Sequence, residues 1–268
     1  MTVKLAILGV TGRMGRCLVR AIGSSPDYSL VGALASPASP WLGHDAGDVA
    51  GAGSLGVEVT ADPGAALSKA EVAIDFTLPG AFEGNLGVLG RLHLPWVVGV
   101  TGLNEAQQLA LRDAAHHQPI LASPNMSVGV NLLLALVAQA AAALSEDYDI
   151  EVLEAHHRNK RDAPSGTALR LGEVAAGARG RSLREVAVEP GRPEGPRARG
   201  GIGFAVLRGG DIVGEHTVRF LGEGESVELV HRATDRMAFA HGALLAAGWL
   251  RGRPAGFYGM PDVLGLKG

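Results

Sequence analysis

Short apolar or β-branched runs recur through the first half of the chain, at Leu5–Leu8, Leu30–Leu34, Val72–Phe76, Trp96–Val100 and Ile120–Ala122. Runs this short and this continuous predict strands buried on both faces. Helical patterns lie between several of them. The clearest is Asn104 to His117, where Asn104 can cap the helix and Gln107 completes a capping box. Strand alternating with helix implies a parallel sheet with right-handed crossovers. The second half reads differently. An apolar helix over Val128–Leu144 is followed by a strand at Ile150–Ala155, a polar loop and a helix from about Ser165. From Gly203 to Ala233 polarity alternates every second residue, with Gly209-Gly210 and Gly222-Glu223-Gly224 as turns, which predicts antiparallel hairpins. A last helix spans Met237 to Leu250. The expected fold is α/β: a parallel-sheet domain, then an α+β domain with a mostly antiparallel sheet.

Composition narrows the class. Of 268 residues, 47% are hydrophobic and 19% charged, too apolar for a disordered chain. The net charge of −3 offers no basic face for a nucleic acid. The arginine-rich stretch from Arg179 to Arg199 is interrupted by Glu185, Glu189 and Glu194, and reads as a solvated loop. The single cysteine, Cys17, excludes an intrachain disulfide, suits a reducing cytoplasm and falls in the first predicted helix as a buried thiol. No signal peptide is expected, because the N-terminus runs straight into a strand. The longest apolar run, Leu132–Leu144, is broken by Gln139 and falls short of the ~20 residues a bilayer span needs. It reads as a buried helix, so no membrane association is expected.

Strand Leu5–Leu8 leads into Gly9-Val10-Thr11-Gly12-Arg13-Met14-Gly15 and then a helix. Pyrophosphate binding needs a tight turn, a backbone free of Cβ and a helix N-terminus aimed at the phosphates. Glycines at 9, 12 and 15 can supply these, although the spacing departs from GxGxxG. The position, at the first strand-to-helix junction of a βαβ run, points to a Rossmann-type domain and a nicotinamide dinucleotide. No Asp or Glu lies between Ser29 and His44, where such folds place an acid for the ribose hydroxyls. Ser36 and Arg13 can meet a 2′-phosphate instead. The balance leans toward NADPH over NADH, with an incomplete clamp because no Arg or Lys follows the second strand.

The densest chemistry is the run from Glu154 to Thr167, E-A-H-H-R-N-K-R-D-A-P-S-G-T. A histidine beside Lys160 can act as acid or base near neutral pH. Ser165, Thr167 and the free N–H groups of the helix start favour an anion. Together they suit a substrate bearing carboxylates. Adjacent histidines on a strand point to opposite sides, which disfavours a shared metal, and one of them can be a satisfied core residue. His116-His117 ends a helix, where cations suit the dipole, and is assigned no function.

At this loop the sequence resembles the signature of the dihydrodipicolinate (4-hydroxy-tetrahydrodipicolinate) reductase family of the lysine/diaminopimelate pathway. Further segments agree in order along the whole chain: G-V-T-G-R-M-G at 9–15, D-F-T at 75–77, G-V-T-G at 99–102, S-P-N-M-S-V-G-V-N at 123–131 and G-D-I-V-G-E-H-T at 210–217. The resemblance implies that His156 is the catalytic acid/base with Lys160 as partner proton donor. It implies that His157, Gly166 and Thr167 grip the substrate's carboxylates. Gly9 to Met14 would wrap the pyrophosphate, while Gly99, Val100, Thr101, Ser123, Pro124, Asn125 and Met126 would line the dinucleotide. It implies a homotetramer joined through the second domain's sheet, and a final helix that returns to the first domain. The expected division is therefore 1–126 with 236–268 for the dinucleotide, and 127–235 for substrate and tetramerisation. The implied reaction delivers hydride to C4 of the cyclic imine with loss of water, followed by protonation at C3. The chain departs from the pattern at Ala35 and Ser36, where some members carry an acid and an Arg, at Asn159, where some carry a third histidine, and at Ser123 in place of Ala.

Two rival readings exist. An aspartate-type or semialdehyde dehydrogenase is one; the semialdehyde chemistry needs a nucleophilic cysteine, and Cys17 is misplaced for it. A dinucleotide-sensing regulator without catalysis should lack the acid/base set that His156 and Lys160 retain.

Overall fold

The computed structural model describes residues 2–188 and 197–266. The chain divides into two compact units, one built from the residues up to Val128 and from Arg236 on, the other from Gly129–Asp235.

The first unit alternates β1 (Val3–Leu8), α1 (Arg13–Gly23), β2 (Tyr28–Leu34), α2 (Ala46–Ala50), β3 (Val59–Thr60), α3 (Pro63–Leu67), β4 (Val72–Asp75), α4 (Phe82–Leu92), β5 (Trp96–Val98), α5 (Glu105–Ala114) and β6 (Pro119–Ala122). Its seven strands lie in the order β11-β6-β5-β4-β1-β2-β3, where β11 (Gly256–Tyr258) arrives from the far end of the chain; every pairing is parallel. Both faces are covered, so alternate side chains enter different cores. Leu5, Ile7, Val72 and Ile74 pack with α1 residues such as Leu18 and with Leu244 from the C-terminal part of the chain. Ala6, Leu8, Ala73 and Trp96 pack on the opposite side with Phe82, Leu89 and Leu111. Each fully buried aliphatic or aromatic side chain is worth about 1.5–3 kcal/mol. The capping box of α5 forms as its sequence implies: Gln107 N–H donates to Asn104 Oδ1 at 2.9 Å, and Asn104 N–H to Gln107 Oε1 at 3.0 Å. The helix stops at Ala114, short of His117.

The second unit contains α6 (Val128–Ala143) beyond its first residue, β7 (Asp149–His156), α7 (Gly166–Ala178), α8 (Leu183–Val186), β8 (Ile202–Arg208), β9 (Gly214–Leu221) and β10 (Ser226–Ala233). The sheet order is β10-β9-β7-β8. This corrects one expectation. Gly222-Glu223-Gly224 does close the β9–β10 hairpin, but Gly209-Gly210 closes none, because β7 lies between β8 and β9. The glycine pair instead crosses the end of β7: Gly209 N–H donates to His156 O, and Arg158 N–H to Gly210 O. β8 therefore runs parallel to β7, and the sheet is mixed.

Two further expectations change. α6 is one-sided rather than buried all round, with Leu133 and Val137 in the core while Leu132 and Leu136 are exposed. The stretch from Arg179 is not simply a solvated loop. Arg179 donates to Ser145 O and Tyr148 O, Arg197 binds the Glu151 carboxylate and Ile150 O, and α8 lies between them. Glu189 and Glu194 lie outside the described residues. Among the described residues, no helix is long and apolar enough to cross a membrane.

The chain then returns to the first unit through α9 (Met237–Leu250), β11 and α10 (Met260–Val263). α9 approaches the backbone after β6 so closely that a Cβ at Gly242 would lie 1.8 Å from Met126 O. Alanine normally stabilises a helix interior by about 1 kcal/mol over glycine. Here the backbone collision wins, so Gly242→Ala is expected to destabilise by roughly 1–3 kcal/mol or more. Calorimetry should show a lowered Tm; an unchanged or raised Tm would show that α9 does not sit against Met126.

Candidate active site

The first unit gathers its candidate residues along the C-terminal edge of the parallel sheet. Gly9 and Val10 N–H both donate to Leu34 O, Phe76 N–H to Leu8 O, Gly99 N–H to Asp75 O, and Ser123 N–H to Val98 O. Strand order reverses between β1 and β4, where ligands bind in open α/β sheets. Gly9 stands there with φ +80°, and a Cβ on it would lie 3.0 Å from Phe76 O. A Cβ on Gly15 would lie 2.3 Å from Gly9 O, so glycine is required for α1 to meet the turn. Gly12 is the exposed N-cap of α1; no side chain caps this end and no acid occupies the first turn. An uncapped helix start opening from such a turn is the cradle a pyrophosphate needs. Arg13 is exposed in the first helical position. Thr11 O accepts from Arg16 Nε, and the Arg16 guanidinium lies 5.2 Å from the centre of the Trp41 ring.

Some candidates can offer only backbone. Val10 and Met126 turn their side chains into the core. Ser123 Oγ donates to Asn125 O at 2.7 Å, and Asn125 Oδ1 accepts from Ser127 N–H at 2.9 Å, which shapes the turn around Pro124. Ser36, after β2, is exposed and its Oγ accepts from Ala38 N–H. Gly99, Val100 and Thr101 follow β5. Gly99 lies against Phe76, whose ring a Cβ would meet at 2.4 Å. The next strand end is stiffened by the aspartate of the D-F-T segment, to which the sequence reading gave no role. Asp75 is fully buried, accepting from Thr77 N–H at 2.8 Å and Asn85 Nδ2 at 2.9 Å. Burial pushes its carboxyl above the usual range, and these bonds oppose the shift.

The second unit holds the other cluster, at the end of β7. His156 is the last residue of that strand and buried, while His157 is half-exposed, as strand alternation requires. His156 Nδ1 lies 2.6 Å from Glu154 Oε2, two residues back on the same face. Glu154 is completely buried, and Arg208 from β8 grips it with both terminal nitrogens, at 2.6 and 2.7 Å. Ser165 N–H donates to its Oε1 at 2.9 Å. Ser165 is thus tied down: it is buried, its Oγ caps α7 by accepting from Ala168 N–H at 3.2 Å, and it pairs with His216 Nε2 at 3.1 Å. The rings of His156 and His216 meet edge to face at 5.1 Å. Gly166 is exposed with open space at its Cα, and Thr167 follows it in the first turn of α7. Lys160 Nζ pairs with Asp162 at 2.9 Å, and Arg208 also donates to Asp162 O at 2.6 Å.

Burial pulls the Glu154 carboxyl upward, but Arg208, His156 and the Ser165 amide together hold it below its usual value, so it is ionised. Burial pushes the His156 imidazole down against the pull of Glu154, with Lys160 and Arg208 adding to the fall. It is therefore neutral at pH 7. Among the described residues no group hydrogen-bonds its Nε2. Sequence reasoning found His156, His157 and Lys160 in one contiguous run and missed Arg208 and His216. The D-I-V-G-E-H-T segment carries His216, but only strand pairing reveals that it faces Glu154.

A sheet that presents an uncapped glycine turn at its switch point can cradle a dinucleotide's pyrophosphate, and an ionised buried carboxylate against a neutral histidine can support proton transfer. A chain carrying both has the make-up of a nicotinamide-dependent oxidoreductase. Family comparison narrows the class: residues 3–126 match the model of the dihydrodipicolinate reductase N-terminus, and residues 129–264 that of the C-terminus. The chain belongs to the dihydrodipicolinate reductase family. It is 52% identical, over 99% of its length and 100% of the relative's, to the 4-hydroxy-tetrahydrodipicolinate reductase of Alkalilimnicola ehrlichii. It is 51% identical to that of Thiobacillus denitrificans, with both chains fully covered. Among solved structures, the dipicolinate-bound dihydrodipicolinate reductase of Paenisporosarcina sp. TG-14 shares the fold with a TM-score of 0.78 at 23% identity, covering 98% of this chain and 99% of its own.

His216 yields a stability prediction. Burial, with the neighbouring His156 adding to it, pushes its imidazole down to about 4. The unfolded chain then takes up a proton, near the free value of about 6.5, before the folded one does. Stability is therefore full above that value and is lost as pH falls toward 4. Between about pH 6.5 and 5 the loss from this group is about 1.5–2 kcal/mol. Urea unfolding at several pH values should show this slope in the native chain and a flatter one in His216→Gln. Equal slopes would mean that His216 titrates normally.

Proposed function

We propose that this chain reduces 4-hydroxy-tetrahydrodipicolinate to tetrahydrodipicolinate with NAD(P)H, in lysine/diaminopimelate biosynthesis in the cytoplasm. The observation that carries the reading is the His156–Thr167 loop, with its carboxylate-oriented histidine and clustered cations, in a chain half-identical end to end with reductases of that name. The dinucleotide, when bound, supplies the hydride. Gly9 to Met14 would hold its pyrophosphate, and Gly99–Thr101 with Ser123–Met126 would line its remainder. Ser36 and Arg13 favour NADPH, since no carboxylate follows β2 to repel a 2′-phosphate. His156 and Lys160 handle the protons. His157, Lys160 and the Ser165-Gly166-Thr167 start of α7 neutralise the two carboxylates, with Ser165 acting through its buried cap. The semialdehyde route is disfavoured because Cys17 is buried in α1.

The direct test is oxidation of NADPH and NADH with freshly generated 4-hydroxy-tetrahydrodipicolinate. His156→Gln and Lys160→Ala should each lower turnover by about 10²–10⁴-fold, the usual worth of a positioned acid or base. That corresponds to roughly 3–5 kcal/mol of barrier. Cofactor binding should survive, since neither residue lies in the glycine turn. Native turnover in both variants would remove them from the chemistry.

We further propose a homotetramer assembled through the β7–β10 sheet. One face of that sheet packs on α6 and α7, while Leu207 and Val230 on the other face stay exposed. Large apolar side chains standing exposed among the Arg219–Glu228 and Arg232–Glu215 ion pairs suit a face that another copy covers. Light scattering at micromolar concentration should give four times the chain mass; a stable monomer would rule the assembly out.

A further inference from the structure

We infer that Glu154, clamped by Arg208, is the positioning residue for His156, holding its imidazole in the Nδ1–H form and leaving Nε2 as the nitrogen open to substrate. The inference rests on the reading of His156 as acid/base and adds what sets the place of its proton. Glu154 has about four acceptor sites and receives four donors: Arg208 Nη1 and His156 Nδ1 on Oε2, Arg208 Nη2 and the Ser165 amide on Oε1. A carboxylate filled in this way can only accept. The proton shared with His156 must therefore sit on Nδ1, and a neutral ring then carries its lone pair on Nε2.

A merely structural role accounts less well for this arrangement. Buried ion pairs are often replaceable by apolar side chains without loss of stability, so stability alone does not account for this one. Here one carboxylate specifies two things, the histidine ring and, through the Ser165 amide, the start of α7. Arg208 extends the clamp by donating to Asp162 O, in the loop that carries Lys160. The surroundings keep Nε2 clear. A Cβ at Gly214 would come within 3.1 Å of it, and glycine supplies none. The charged or titratable groups around the ring are Glu154 on its own strand, Arg208 on β8, His216 on β9 and Lys160 on the loop.

The test is ¹⁵N histidine NMR on the full-length protein without ligands, with the His156 signals assigned by their loss in His156→Gln. The native protein should show a protonated Nδ1 and a bare Nε2 at neutral pH. Glu154→Gln cannot satisfy Arg208 and His156 together, so the proton should move to Nε2. Turnover should then fall by about 10²–10⁴-fold with KM little changed, as for a histidine held in the wrong tautomer. Arg208→Gln removes the main contact that keeps Glu154 ionised, so the acid limb of the kcat–pH profile should move to higher pH. Arg208→Lys, which keeps the charge but not the fork, should fall between that variant and the native enzyme. A native His156 protonated on Nε2 would overturn the proposal without recourse to any variant. So would a Glu154→Gln protein that keeps both the Nδ1 proton and native turnover. An inactive native protein with the Nδ1–H form present would overturn the reductase assignment and leave the positioning role standing.

Discussion

The second unit turns on one buried negative charge. Glu154 lies wholly inside the protein, where an unpaired carboxylate would cost several kcal/mol. It persists because Arg208, His156 and the Ser165 amide converge on it. Those three groups come from β8, β7 and the start of α7. Satisfying the charge therefore fixes the relation of a strand end, a neighbouring strand and a helix N-terminus. The loop between His156 and Ser165 is closed at both ends by the same carboxylate, and so it can be polar, cationic and defined.

Elements with a strong local signal were legible in the sequence. The apolar α9 is read to the residue, and the capping box of α5 announces itself through Asn104 and Gln107. β3 and β11 were not legible, because strands of two and three residues carry too little pattern to stand out from the loops around them. Gly209-Gly210 misled for a different reason. A glycine pair marks a reversal or crossing of the backbone but does not say which strands flank it, and here the strand between is β7. The outward faces of Leu132 and Leu136 were invisible because α6 is apolar all round, so periodicity could not tell which side meets the core.

The two candidate clusters, one in each unit, were legible to different extents because they are made of different material. The proposed dinucleotide cradle is mostly backbone. Where backbone must approach closely or take a positive φ, the sequence must show glycine, as at Gly9 and Gly15. The proposed proton-handling cluster is made of side chains. Its contiguous part, from His156 to Thr167, was visible. Arg208 and His216 are more than fifty residues from the groups they bind, and nothing local to either marks its partner.

The topology explains how those distant residues arrive. In a β7-β8-β9-β10 meander, β8 would run antiparallel to β7, and Arg208, its last residue, would stand near the start of β7 and not beside Glu154. Because β8 pairs in parallel with β7, Arg208 stands level with His156, both strands ending at the same edge. The chain must then cross over the end of β7 to begin β9, and it does so on Gly209-Gly210, hydrogen-bonded to the backbone of His156 and Arg158. That crossing delivers Gly214 beside the His156 ring and His216 opposite Glu154. The glycine pair that looked like a turn is thus the step that assembles the cluster. Because β8 and β9 flank β7, the mixed sheet brings Arg208 to the Glu154 carboxylate from one side and sets His216 across from Glu154 on the other, where it reaches Ser165.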